Sequence, residues 1–252
     1  MRPLPYLAPP QLKLGPAVLT AFDLLVVAAV VSGVLIVVRR AEKLGWERER
    51  TLRLTLWMVL LGGIGSHLAA VLFYRPQLVM KDPLILLQLW GSMSSFGGIA
   101  SGILGGIWVA RRMGFSRAET LRYFDLVAYA FPFAWIFGRC GCALAHDHVG
   151  VLSSSFLAVD FPGGARFDLG LLELLYTLPL AALFFWLGRK PRLNGLYLGL
   201  FFTLYGPVRF VLDMLRAGDA RYLGWTPGQY GSVIATLLGA ASLFALYRRP
   251  ST

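Results

Sequence analysis

Charge is scarce in this chain and negative charge scarcest: 13 Asp and Glu stand against 24 Lys and Arg in 252 residues, and charged side chains make up only 15% of the whole. That excludes an ordinary soluble domain, in which about a quarter of the residues are charged. Cysteine is nearly absent. Cys140 and Cys142, one residue apart, could bridge only with severe strain, so there is no disulfide framework and both read as small filler at a tight helix crossing. Histidine is limited to His67, His146 and His148. Polar sequence long enough for a second domain is also missing. The longest gap between apolar runs, from Ala143 to Asp168, is short and rich in Gly, Ser and Asp.

What the chain has in abundance is apolar sequence. Hydrophobic residues are 57% of the total, and mean hydropathy is +0.64. Seven runs, at 17–38, 54–74, 89–110, 122–141, 169–187, 194–214 and 228–247, approach the length of about 20 helical residues that crosses a hydrocarbon core. The expected fold class is all-α, a single polytopic membrane domain over 1–252 with seven transmembrane helices. The N-terminal "MRPLPYLAPPQLKLGP" has five prolines and no small-residue cleavage site after it, so the first helix is expected to stay uncleaved.

A net charge of +11 raises nucleic acid or anionic lipid as partners, and placement of the basic residues decides between those and simple topology. Fifteen of the 24 fall in the first, third and fifth connections and the C-terminal tail, among them Arg39, Arg40, Arg111, Arg112, Arg189, Lys190, Arg248 and Arg249. The N-terminus and even-numbered connections hold seven, including Arg2 and Arg166. By the positive-inside rule the N-terminus and the 143–168 loop lie outside and the C-terminus is cytoplasmic. Membrane lipids are the expected surroundings and no nucleic acid partner is expected.

Ionisable groups within apolar runs are costly, at about 2.5 kcal/mol or more at mid-bilayer, and therefore informative. Span two holds His67, span four opens with Asp125 and closes with Arg139, and span five holds Glu173. In span six Arg209, Asp213 and Arg216 follow one another by four and three residues and so share a helical face. Pro207 is expected to loosen that helix beside Arg209. Two readings stand for this face: an intramembrane ion-pair network that fixes packing, or arginines that hold an anion, for which a phospholipid phosphate is the available ligand at that depth. The glycines and serines of "WGSMSSFGGIASGILGG" read as a close helix-packing face.

Arg139 is followed by His146, Asp147 and His148, the clustered general-base candidates of the chain. A cation pair from spans four and six with a base at the outer surface is a layout for transfer or hydrolysis at a lipid headgroup. Zinc held by the two imidazoles and the carboxylate is a competing reading, but His146 and His148 would point to opposite sides of a strand unless the loop bends. A solvated loop without a role is the third. Acid/base or substrate contact is preferred here, with no metal and no cofactor expected.

The motifs resemble those of the prolipoprotein diacylglyceryl transferase family along nearly the whole chain. "GGIGSHLAAVLFY", around His67, is similar to the family's second span, "GSMSSFGGIASG" to its glycine-rich stretch, and "GRCGCALAHDHVG" to its signature beginning Gly-Arg-x-Gly. "RFDLGLLELLY" and "YGPVRFVLDMLR" stand where the family has its Glu-bearing and Tyr-Gly-x-x-Arg-Phe segments. The resemblance implies seven spans with the N-terminus outside. It also implies a bacterial inner-membrane enzyme that moves diacylglyceryl from phosphatidylglycerol to the lipobox cysteine thiol of a prolipoprotein signal peptide and releases glycerol phosphate. Carried over, it makes Arg139 and Arg209 essential, Arg216 a third arginine, and Glu173 a retained carboxylate; Asp147 and Asp213 replace glutamates and Cys142 a commoner asparagine. Phe96 stands in place of a histidine often proposed as important for catalysis, Phe167 in place of another, and span one offers Asp23 where the family has a tyrosine.

The expected catalytic set is therefore His146, Asp147, His148, Arg139 and Arg209, with Arg139, Arg209, Arg216, Asp213, Glu173, Cys142 and His67 around the substrate. His146 or His148, with Asp147, is expected to take over the missing histidine's role. A catalytically inactive phospholipid-binding paralogue is the alternative. A small transporter ranks last, since no internal repeat is evident.

Overall fold

The computed structural model describes residues 3–14, 17–88 and 93–248. The first strands, β1 (Gln11–Leu14) and β2 (Ala17–Thr20), form an antiparallel hairpin, so the expected first span begins four residues late, at Ala21. The reason is local. Thr20 is extended and makes a reciprocal capping box with Asp23, which sets the start of α1 (Ala21–Lys43). After α1 come α2 (Arg48–Ala69), which winds on as a π-turn through Tyr74, then α3 (Pro76–Lys81) and a 3₁₀ turn at Pro83–Leu87. The remaining helices are α4 (Ser95–Arg112), α5 (Arg117–Ala145), α6 (Leu169–Leu187), α7 (Leu196–Met214) and α8 (Pro227–Tyr247).

Six helices among the described residues are long and apolar enough to cross a membrane: those over 21–43, 48–74, 117–145, 169–187, 196–214 and 227–247. The expected span at 89–110 is represented by α4. It has 18 residues, ends in Arg111 and Arg112, is diluted by glycine and serine, and is not among those six. Residues 89–92 at the head of that run lie outside the described residues, as do Arg2 and Arg249.

Helix α5 is the axis of the bundle, about 44 Å long at 1.5 Å per residue, and packs against α1, α6 and α7. Its start is fixed by a capping box between Ser116 and Glu119. Helix α7 starts at Gly195 without a capping side chain of its own; Asp125 of α5 supplies one, its Oδ1 accepting from Leu198 N at 2.9 Å. Helices α2 and α4 meet through glycine. A Cβ on Gly65 would lie 2.0 Å from Ser101 Oγ, so the two backbones approach as only small residues permit. Pro207 does not break α7, which is continuous through it; Leu204 O, in the turn before the proline, accepts from Tyr176 OH at 2.7 Å.

The all-α expectation needs one correction. The 143–168 gap, read as loop, folds into an antiparallel sheet of β3 (Val149–Leu152), β4 (Ala158–Phe161) and β5 (Gly164–Asp168), in the order β3-β5-β4. Its edges are used. Leu4 bridges to Val159 on β4, with Leu4 N donating to Ala158 O at 2.7 Å, and Val151 N on β3 donates to Leu215 O at the end of α7 at 2.9 Å. Covering both edges ties the N-terminal segment, the sheet and α7 together at one end of the bundle.

Candidate functional site

Arg139 of α5, Glu173 of α6 and Arg209 and Asp213 of α7 converge toward that same end. Glu173 of α6 is fully buried and lies between two arginines from different helices: Arg139 Nε is 3.0 Å from its Oε1, and Arg209 Nη1 is 3.0 Å from its Oε2. Tyr205 OH donates to Oε1 at 2.5 Å and Trp135 Nε1 at 3.1 Å. The chain of charges continues along α7. Arg209 Nη2 is 2.7 Å from Asp213 Oδ1, Asp213 Oδ2 accepts from Thr226 Oγ1 at 2.7 Å, and Arg216 Nη1 is 3.9 Å from Asp213 and 3.0 Å from Asp219. The network needs a close approach of α8: a Cβ on Gly228 would sit 2.0 Å from Asp213 Oδ2.

Both readings of these arginines have support. The ion-pair network exists, with the two guanidinium groups sharing one protein carboxylate. Their donors are not all spent on it. Arg139 directs Nη2 to Ser95 Oγ at 3.0 Å and Nη1 to Cys142 Sγ at 3.4 Å, over the ring of Trp135. Arg209 Nε is buried and has no hydrogen-bond partner among the described residues. Each unpaired buried donor is costly, and an anion oxygen relieves it.

The His-Asp-His cluster divides in two. His146 takes a left-handed conformation at φ 51° that ends α5, and its two ring nitrogens meet Asp168 Oδ2 at 2.5 Å and Leu7 O at 3.0 Å. Its ring stacks on Tyr6 with 4.5 Å between centroids. With Asp168 also capping Leu171 N at the start of α6, His146 pins the N-terminal segment to the junction of α5 and α6. His148 turns the other way, its Nδ1 in short contact with Asp147 Oδ1. The Asp147–His148 pair and Cys142 present ligand atoms all within 4.8 Å of one another, next to Arg139. His67 is buried in α2, with Nε2 against Ile85 O at 2.9 Å, where it holds the 3₁₀ turn.

The chain carrying this bundle matches known proteins along nearly its whole length. Residues 9–245 match the model of the family described as prolipoprotein diacylglyceryl transferase. A Pseudomonas paraeruginosa protein named phosphatidylglycerol-prolipoprotein diacylglyceryl transferase is 31% identical over 257 aligned residues, covering 97% of this chain and 96% of that one. Proteins of the same name from Cronobacter sakazakii and Vibrio parahaemolyticus are each 31% identical, covering 94% and 97% of this chain and 92% and 93% of their own. The chain belongs to the prolipoprotein diacylglyceryl transferase family.

Within that family frame, the departures have places in the structure. Phe96, beside the Ser95 that holds Arg139, packs toward α8, where a Cβ on Gly231 would come within 2.6 Å of its ring. Phe167 lies in β5, paired with Ala158. Trp135, Tyr205, Ser95 and Thr226 were not singled out from sequence, although a signal existed for two of them. Trp135 is four residues before Arg139 and Tyr205 four before Arg209, the spacing that puts side chains on one helical face.

Proposed function

We propose that this protein carries out the reaction its relatives are named for, transferring diacylglyceryl from phosphatidylglycerol to a prolipoprotein, with the lipobox cysteine thiol of the signal peptide as acceptor. In the reaction the sulfur attacks the glycerol carbon that bears the phosphate ester. A C–S bond forms as the C–O bond breaks, its electron pair leaves on the phosphate oxygen, and glycerol phosphate departs. Arg139 and Arg209 bind the phosphate and balance the charge that grows on it. Glu173 and Asp213 hold the guanidinium groups in position beforehand. Thiol activation falls to Asp147 and His148, since His146 has both ring nitrogens engaged in structure.

The observation that carries the reading is the convergence of Arg139 and Arg209 from separate helices, with a buried Arg209 Nε available to an anion. The orientation proposed is the one the basic residues support: seven spans with α4 as the seventh, the N-terminus and β3–β5 outside, the C-terminus cytoplasmic, in the bacterial inner membrane. The substrates' headgroup and thiol would then meet at the sheet end of the bundle.

Rescue of cells depleted of their own transferase separates this from a lipid-binding paralogue. Expression of this chain should restore growth and lipoprotein maturation, and Arg139→Ala, expressed to the same level in membranes, should not. A well-expressed wild-type chain that leaves prolipoprotein unprocessed would favour the binding role.

A further inference from the structure

Arg139 lies beside a carboxylate and yet makes no hydrogen bond to it through Nε. Three donors face Glu173 Oε1: Tyr205 OH at 2.5 Å, Trp135 Nε1 at 3.1 Å and Arg139 Nε at 3.0 Å. A carboxylate oxygen offers about two lone-pair directions. The tyrosine and the tryptophan take both, and Arg139 Nε is left buried with no hydrogen-bond partner among the described residues. We propose that Trp135 is a positioning residue: by filling Glu173 Oε1 it keeps the Nε–H of Arg139 unspent for an oxygen of the lipid phosphate. The proposal rests on the assignment of Arg139 to that phosphate and adds the side chain that keeps it available.

The indole suits the task by its chemistry. Its N–H donates and has no acceptor beside it, so it satisfies the carboxylate and offers the guanidinium nothing in return. A serine or tyrosine hydroxyl in its place would accept from Arg139 and use up the donor being saved. The ring face does the rest. Arg139 Cζ stands 4.3 Å from the ring centroid, so the cation is held from its flat side and its edge stays open to in-plane hydrogen bonds. On that edge Nη2 reaches Ser95 Oγ at 3.0 Å and Nη1 reaches Cys142 Sγ, a weak acceptor, at 3.4 Å. The indole is held in turn. Trp135 comes one helical turn before Arg139 on α5, Phe131 a further turn back packs on it with 4.7 Å between ring centroids, and Tyr205 of α7 meets it edge-on at 6.5 Å.

With the lipid absent, the Nε–H is a buried donor without an acceptor, a penalty that an anion oxygen removes. Without the indole N–H, one lone pair of Oε1 would stand open, and Arg139 Nε, 3.0 Å away, would close on it. The ion pair would then be better satisfied and the phosphate less well held. Trp135 therefore acts on stability and on lipid binding in opposite directions, whereas a residue that only packs acts on both in the same one.

The test melts detergent-solubilised wild type and variants across a titration of short-chain phosphatidylglycerol, so that the rise in melting temperature reads binding whether or not transfer occurs. Trp135→Phe keeps a ring under Arg139 and removes the N–H. It should need about tenfold more lipid for the same rise, while its lipid-free melting temperature equals or exceeds that of wild type. In an Arg139→Lys background, which has no guanidinium Nε–H, the same change should cost no further affinity. An unchanged lipid requirement, or an equal loss of affinity in the Arg139→Lys background, overturns the role of Trp135 and leaves the transferase reading standing. A lowered lipid-free melting temperature also overturns it, since that is the mark of a packing residue. A wild type with no lipid-dependent rise overturns the phosphate assignment and the role with it. A wild type that binds the lipid and shows the expected differences, but transfers nothing to a lipobox peptide, upholds the role and strikes the transferase reading instead.

Discussion

At the scale of single residues, Glu173 has the largest consequences, because it is fully buried and balances two arginines. Removing one member of a buried charge set strands the others, at about 3–5 kcal/mol. Glu173→Gln keeps the shape and loses the charge, so it should lower the melting temperature of the detergent-solubilised protein as well as its activity. Arg209→Lys tests something different. It keeps a positive charge but loses the fork that spans Glu173 Oε2 and Asp213 Oδ1, and should cut transfer by roughly 100-fold. The effect should appear in kcat/KM, because the same guanidinium binds the phosphate and balances the charge that develops as glycerol phosphate leaves. Much of this was legible beforehand. Arg209, Asp213 and Arg216 announce a shared face by their spacing, and Arg139 and Glu173 by their cost inside apolar runs. Which carboxylate served which arginine was not legible, because the partners lie on different helices and no local periodicity relates them. His146 shows the same limit. Its ring is held by Leu7, 139 positions away in the chain, and nothing near it in sequence says so.

At the scale of elements, the apolar runs located the helices and the caps placed their ends. Thr20, Ser116 and Thr226 each begin a helix through a capping box, with Asp23, Glu119 and Gln229 three residues on. Those pairs explain why α1 starts later than its apolar run and α5 earlier. The sheet of β3–β5 was not legible, because its strands are four or five residues long and two of their edges are completed by the distant Leu4 and Leu215. Close helix packing is testable here. Gly65→Ala drives a methyl into Ser101, whereas the double variant with Ser101→Gly returns the space. The single change should destabilise the α2–α4 pair and the double change should recover most of the loss, measured as non-additive shifts in thermal unfolding.

At the scale of the whole molecule, the architecture is a membrane bundle whose buried Arg139–Glu173–Arg209–Asp213 network lies toward one end, under a small sheet. Composition alone established the membrane character, and basic-residue placement supports an orientation that single-cysteine labelling can test. In a background with Cys140 and Cys142 replaced, a cysteine at Ser154, beside the sheet, should react with an impermeant maleimide added to intact spheroplasts, and one at Leu193, between α6 and α7, should react only after lysis. The opposite pattern would invert the bundle and move the site to the wrong face for an exported peptide. The account's central claim is that Arg139 and Arg209 together hold the phosphate of the lipid donor. Its most direct test is transfer by purified protein from phosphatidylglycerol to a lipobox peptide, followed by peptide mass and by release of glycerol phosphate. The intact chain should yield both products, and Arg139→Ala and Arg209→Ala should each fall to background while remaining folded. Lipidated peptide formed at the wild-type rate by either variant, or none formed by the intact chain, would contradict the account.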